Sequence, residues 1–154
     1  MRLSPKPVTM QFYPETHTAE HARATFERNQ GFLDANTFGL WAVEARESGT
    51  FIGYIGIAER DHSDISFMPC HEIGWRLFRD FWGQGFASEG ALAVREYASS
   101  LDEVPTLFSY TPRINKPSIN VMRKIGLVPR PDLDFDHPEV EIGHVLGPHV
   151  VYAS

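Results

Sequence analysis

The chain has 154 residues, 42% of them hydrophobic and 22% charged, the length and composition of a single globular domain with a sizeable core. Its formal net charge of −6 argues against nucleic acid as the main partner, because phosphate binding needs a basic field, and suits a cationic substrate such as an amine. The lone Cys70 forms no internal disulfide, and neither a charged-then-apolar leader nor a run of about 18 apolar residues is present, so a cytoplasmic protein without a membrane span is expected.

The opening MRLSPKPVTMQFYPE carries three prolines and reads as extended or irregular. From Thr18 the pattern turns helical: Ala19, Ala22, Phe26 and Leu33 fall near one stripe, with Glu20, Arg23, Glu27 and Arg28 on other faces, and Thr16 or Thr18 suited to the cap. FGLWAVEAR (38–46) and FIGYIGIA (51–58), joined across ESGT, predict a β-hairpin. Residues 59–69 are polar and read as a loop. HEIGWRLF (71–78) is the next strand, with Ile73, Trp75 and Leu77 on one face and Glu72, Gly74 and Arg76 on the other. ASEGALAVREYASSL (87–101) predicts a helix with Ala91, Val94 and Ala98 on its apolar stripe. VPTLFSYT (104–111) is a strand, and KPSINVMRKIG (116–126) a short helix with Pro117 in its first turn and Gly126 at its stop. A Pro-, Asp- and His-rich tail (129–148) leads to a last strand, HVVYA (149–153). No repeat or linker divides the chain, so residues 1–154 are expected to form one α/β domain: a mixed sheet with helices packed on it.

Between the strand at 71–78 and the following helix lies WGQGFASEG. A Gly-x-Gly turn at a helix start makes an anion site, since the first amides of a helix lack partners, its dipole is positive there, and glycine admits a phosphate close to the backbone. A tight turn that binds nothing explains the spacing equally well. Two phosphate motifs fail: no Gly-Lys-Ser/Thr ends a Walker loop, and Ser88 stands where a dinucleotide fingerprint needs its third glycine.

WGQGFA does, however, resemble the Arg/Gln-x-x-Gly-x-Gly/Ala pyrophosphate loop of the GNAT superfamily of acetyl-CoA-dependent N-acetyltransferases. Trp82 at its first position is similar to the ribosomal-protein-alanine acetyltransferase (RimJ/RimL-like) branch. NKPSINVMRKIGL (115–127) resembles that branch's Asn-x-x-Ser followed by Lys-x-Gly, and the tail from Asp134 is similar to bacterial members; the resemblance runs from about Phe12 to the end. It implies a splayed mixed sheet with acetyl-CoA as co-substrate in the splay and no metal. The cofactor-binding residues it implies are Leu77 along the pantetheine, Trp82, Gly83, Gln84, Gly85, Phe86, Ala87 and Ser88 around the pyrophosphate, and Asn115 and Ser118 beside it.

Acetyl transfer needs an amine that loses its proton, a held oxyanion and a departing thiolate, and most amines are protonated at neutral pH. Glu72 resembles in position the glutamate base of several family members; a purely structural glutamate paired with Arg76 or Arg79 is the competing expectation. A backbone N–H of the same strand is the simplest oxyanion donor. Where many relatives carry a tyrosine acid this chain has Met122, so Ser118 is the substitute hydrogen-bond donor to sulfur, with helix capping its alternative. Asn115 is better suited to tying strand to helix than to reacting. Cys70 and His71 point to opposite faces and make no nucleophilic pair, and His137, His144 and His149 lack the spacing of a metal site. Trp41, Phe51, Tyr54 and Trp75 are expected mostly in the core, with one or two at the acceptor pocket.

Only eleven residues precede Phe12, so the family's opening strand and helix, which build part of the acceptor site, are expected to be missing or shortened. A homodimer supplying that wall, a start further upstream and an altered site all stay open. The resulting expectation is transfer of an acetyl group to a primary amine, either a protein N-terminus or a small molecule. The alternatives are a GNAT-fold module that binds CoA or acyl-CoA without turnover and a nucleotide-binding switch, the latter lacking a Walker lysine and magnesium ligands.

Overall fold

The computed structural model describes residues 19–154. The expected caps Thr16 and Thr18, the proline-rich opening and the expected shortening of the first unit lie outside the described residues. Helix α1 (Ala19–Ala35) is followed by strands β1 (Leu40–Ala45), β2 (Thr50–Arg60) and β3 (Cys70–Leu77), helix α2 (Phe86–Ala98), β4 (Leu107–Pro112), helix α3 (Lys116–Lys124), and three further strands, β5 (Val128–Pro129), β6 (Phe135–Asp136) and β7 (Pro148–Ala153). They form one seven-stranded sheet in the order β1-β2-β3-β4-β7-β5, with β6 also paired to β7. All pairs are antiparallel except β3–β4.

The core lies between the sheet and α2 and α3. Ile52, Ile55, Ile57 and Ile73 are fully buried, as are Ala91, Met122, Ile125 and Val151. Alternation along β3 puts Ile73 and Leu77 into this core and leaves Glu72, Gly74 and Arg76 on the opposite face, as expected. Ala91 and Ala98 give α2 its buried stripe, and Gly90 brings that helix against β2, where a Cβ would stand 2.5 Å from Ile55 Cδ1. In α3 the Asn115 side chain is the cap, accepting from the Ser118 N–H at 3.3 Å, and Gly126 follows the helix at φ 78°.

Several boundaries differ from expectation. β2 does not stop at Ala58 but continues through Glu59 and Arg60, because β3 extends alongside and pairs them with His71 and Cys70. β4 begins at Leu107 rather than Val104; Pro105 has no N–H to give a ladder, and Val104 is buried in the core as part of the connection. The tail is not irregular throughout, since β5, β6 and a 3₁₀ turn at Pro131–Leu133 use it. A second 3₁₀ turn, Arg79–Phe81, separates β3 from the glycine turn. Phe26 of α1 is 50% exposed, so it does not belong to a buried stripe; nearer the end of α1, Phe32 packs against the core, its ring 5.6 Å from that of Phe38.

Two glycines face each other across β2 and β3, Gly56 and Gly74. Gly56 lets the start of β1 lie close alongside β2, where Leu40 is its ladder partner: a Cβ there would collide with the Gly39 carbonyl oxygen and lie 2.7 Å from the Leu40 Cα. Backbone cannot swing aside as a side-chain tip can, so Gly56→Ala is expected to cost about 1–3 kcal/mol or more by overpacking. A urea melt checks this, and an unchanged midpoint would contradict it.

Candidate active site: a wedge between two strands

β3 and β4 pair only at His71–Leu107 and Glu72–Phe108. Beyond those residues β3 runs on with β2 and β4 with β7, so the two strands diverge and a wedge opens between them. The Phe78 N–H donates to the Ile52 carbonyl at 2.9 Å. Alternation then turns the amides of Arg76 and Gly74 toward β2 as well, and those of Leu77, Trp75 and Ile73 toward the wedge. The Leu77 carbonyl on that edge accepts from Trp82 Nε1 at 2.9 Å, so the indole closes the end of the strand.

Past the wedge the chain makes the glycine turn. Gly83 and Gly85 have φ of 71° and 87°, left-handed values that disfavour other residues, and no described atom lies within 4 Å of a Cβ at either. Gly85 is the N-cap of α2 and brings no side-chain hydrogen bond to it, so the first amides of that helix keep their capacity for an external acceptor. The N-terminus of α3 faces the same space. Asn115, 6% exposed, holds it there: its Nδ2 donates to Thr111 Oγ1 of β4 at 2.8 Å while its Oδ1 caps the helix.

Between these ends lies a cleft of about 650 Å³. It is lined by Leu77, Trp82, Gly83, Gly85, Phe86, Ala87, Ser88, Asn115 and Ser118, all singled out from the sequence. Gln84 is not among the lining residues; its amide donates to the Asp80 carbonyl at 2.8 Å and braces the turn. The sequence reading missed Arg79, Lys116, Asn120 and Lys124, which also line it. Lys116, Asn120 and Lys124 follow one another at i, i+4 and i+8, opposite the buried Ile119 and Met122, so helical spacing was the signal available. The Arg79 guanidinium stacks 4.8 Å from the Trp82 ring. Two positive helix ends and several cations thus converge in a protein of net charge −6, an arrangement that attracts a polyanion.

A second, smaller cavity of about 150 Å³ shares Trp75, Arg76 and Ser118 with the cleft and continues to Glu72, Arg60, Tyr54, Tyr110 and Met122. Glu72 is ion-paired with neither Arg76 nor Arg79. Its Oε2 accepts from Arg60 Nε at 2.6 Å and from the Tyr110 hydroxyl at 3.4 Å. Burial together with the Glu72 charge pushes the Tyr110 hydroxyl pKa up, so it remains a donor. Ser118 therefore stands at the junction of the two cavities, and its hydroxyl is not the helix cap. Cys70 is buried, its thiol pushed up to about 12, mainly by desolvation, which fits a packed cysteine rather than a nucleophile. Of the four aromatics, Tyr54 and Trp75 line the small cavity, Trp41 packs under Tyr97 and Phe51 against Phe78. Among the described residues no group of His, Cys, Asp or Glu is placed to hold a metal ion, and no helix is long and apolar enough to cross a membrane.

The Acetyltransferase (GNAT) domain model matches residues 2–128, so the chain belongs to the GNAT acetyltransferase family. It is 31% identical over 121 residues to the uncharacterized N-acetyltransferase YnaD of Bacillus subtilis (strain 168), a match covering 77% of this chain and 65% of that protein. The fold is that of a GNAT-family acetyltransferase from Bacillus anthracis (TM-score 0.75, 21% identity, 99% of this chain and 84% of the other). It is also that of RimL, a ribosomal L7/L12 alpha-N-protein acetyltransferase solved in complex with coenzyme A (TM-score 0.70, 16% identity, 90% and 73%). These matches confirm the mixed, open sheet flanked by helices expected from the sequence.

Beside the wedge, His137 and His149 lie with ring centroids 5.0 Å apart, and Phe135 stacks on His149. Burial lowers the pKa of both; His62 adds to the effect on His137 and His137 to that on His149, against opposing contributions from Glu139, Glu72, Asp136 and the Gly147 carbonyl. A histidine whose folded pKa lies below its unfolded value of about 6.5 takes up its proton preferentially when unfolded. Its neutral-state stability is present above pH 6.5 and is lost as pH falls through the folded pKa. The melting temperature is therefore expected to decline between pH 7 and 5, and less steeply in His149→Asn; parallel curves would contradict this.

Proposed function

We propose that the protein is an acetyl-CoA-dependent N-acetyltransferase, RimJ/RimL-like, that acetylates a primary amine by direct attack on the thioester. The observation that carries this reading is the adjacency of the two cavities: an anion-attracting cleft at two helix ends shares Trp75, Arg76 and Ser118 with a small pocket that holds a carboxylate. Acetyl-CoA, when bound, supplies an activated acetyl group. The cleft fits it through the amides of Gly83–Ala87 for the pyrophosphate, Lys116 and Arg79 for phosphate charge, and the wedge edge of β3 toward Leu77 for the pantetheine.

In the small pocket the Arg60 contact holds the Glu72 carboxylate in place to take a proton. The amine nitrogen forms its bond to the carbonyl carbon as the carbon–sulfur bond breaks, and the nitrogen's proton passes to Glu72 directly or through one water. The wedge-facing amides of Trp75 and Ile73 are the oxyanion donors this strand offers. Met122 has no proton to give; Ser118 donates a hydrogen bond toward the sulfur, and with a thiol pKa near about 8.5 the thiolate leaves without a strong acid. A module that only stored CoA would have no use for a carboxylate held beside the cleft, which is why turnover is favoured over binding alone.

Thermal unfolding with acetyl-CoA, CoA and ATP tests the cleft. Ligand at 100 times its Kd adds about 2.7 kcal/mol, seen as several degrees, with both coenzymes and not with ATP. Glu72→Gln is then expected to keep that shift and lose about 10²-fold in kcat, measured by thiol release. Full activity of this variant would remove Glu72 from the mechanism, and stabilisation by ATP alone would remove CoA.

A further inference from the structure

Resting on the acetyl-transfer reading, we infer that Gly74 is the acceptor's entry point and sets how bulky an amine the enzyme takes. Glu72 and Gly74 share the face of β3 away from the core and line the same small cavity. The two oxygens of Glu72 are used differently. Oε2 is held by Arg60 and Tyr110, whereas Oε1 lies over Gly74 and has no hydrogen-bond partner among the described residues. An acceptor amine delivering its proton to Oε1 therefore reaches it across Gly74.

The glycine itself needs a reason, because glycine within a strand weakens it and marks a bulge or a close approach by backbone or ligand. No bulge is present here: the register from Gly53–Leu77 to Arg60–Cys70 runs without a shift. Nor does Gly74 have a positive φ. Its partner across the ladder, Gly56, has the place of a Cβ taken by the backbone of Gly39 and Leu40 at the start of the neighbouring strand β1. Above Gly74 the only described atom within 4 Å of where a Cβ would stand is Glu72 Oε1, at 3.9 Å, an ordinary contact. The described residues thus leave room for a methyl group at position 74, yet that methyl would stand where the carbon next to the attacking nitrogen has to lie. The ligand class assigned is a primary amine, with branching at its α-carbon, as in an N-terminal alanine, tolerated only because residue 74 has no side chain.

The experiment compares wild type, Gly74→Ala and Gly74→Ser for melting temperature, stabilisation by acetyl-CoA, and kcat/KM on paired amines that differ only at the α-carbon: glycinamide with alaninamide, and propylamine with 2-aminopropane. Both variants are expected to keep the wild-type melting temperature within a few degrees and the full acetyl-CoA shift, and to lose about tenfold or more in the ratio of branched to unbranched kcat/KM. An unchanged ratio in both variants overturns the inference. So does a collapse of the melting temperature in both, which would show that the fold uses the space. Wild-type protein that releases thiol with no amine, or gains no stability from acetyl-CoA, overturns the acetyl-transfer reading itself and is told apart because it involves no substitution.

Discussion

Everything at the site follows from the short pairing of β3 with β4. Parallel strands here exchange hydrogen bonds over two residue pairs and then part, each staying with its other neighbour. Buried amides and carbonyls need partners, so a sheet that opens in its middle must either cover the exposed edge or reserve it for a ligand. This protein does some of both. Trp82 spends its indole N–H on the Leu77 carbonyl at the far end, while the amides nearer the apex stay turned toward the gap. The helices that follow each strand then start at the mouth of the same gap, which is why two helix N-termini, rather than one, border the cleft.

Electrostatics divides the site into two regions. The outer cleft gathers Arg79, Lys116 and Lys124 with the two dipole ends, a field opposed to the protein's net −6 and suited to a multiply charged phosphate ligand. The inner pocket is more nearly balanced, with the Glu72 carboxylate held by Arg60 and Tyr110. That pair exists because β2 outlasts its hairpin partner β1 and carries Arg60 to the level of Cys70, from where its guanidinium reaches Glu72 on the next strand. Removing Arg60 would leave the largely buried Glu72 carboxylate poorly compensated, so the length of β2 decides how this pocket is charged.

Local chemistry made the order of elements legible in the sequence. Period-two runs marked β1, β2, β3 and β7, helix-forming stretches marked α2 and α3, and the glycine turn located the cleft, because the left-handed φ of Gly83 and Gly85 is a backbone requirement that only a few residue types meet. What was not legible depended on tertiary neighbours. Glu59 and Arg60 are polar and lack alternation, so they read as loop; only the presence of β3 alongside makes them strand, and with that the partner of Glu72 was lost. Asn120 and Lys124 escaped because the face a short helix turns to a cleft is known only once its opposite face, Ile119 and Met122, is seen to be buried. The two-residue strands β5 and β6 carry too short a pattern to register at all.

The glycines bring these levels together, since one residue type does separate jobs that the sequence alone does not distinguish. Gly83 and Gly85 supply left-handed backbone conformations at the turn before α2. Gly56 and Gly90 supply closeness, the first to the start of β1 alongside β2 and the second to Ile55 beneath α2. Gly74 supplies neither among the described residues, because its φ is not positive and the nearest described atom to a Cβ there is Glu72 Oε1 at 3.9 Å. A strand position that gives up side-chain packing without gaining a turn or a close neighbour among the described residues loses stability there, which a ligand approaching that face can offset. In the middle of the β3 face that carries Glu72, the proposed outside partner is whatever approaches the carboxylate, which is why the space of the missing side chain is assigned to the acceptor.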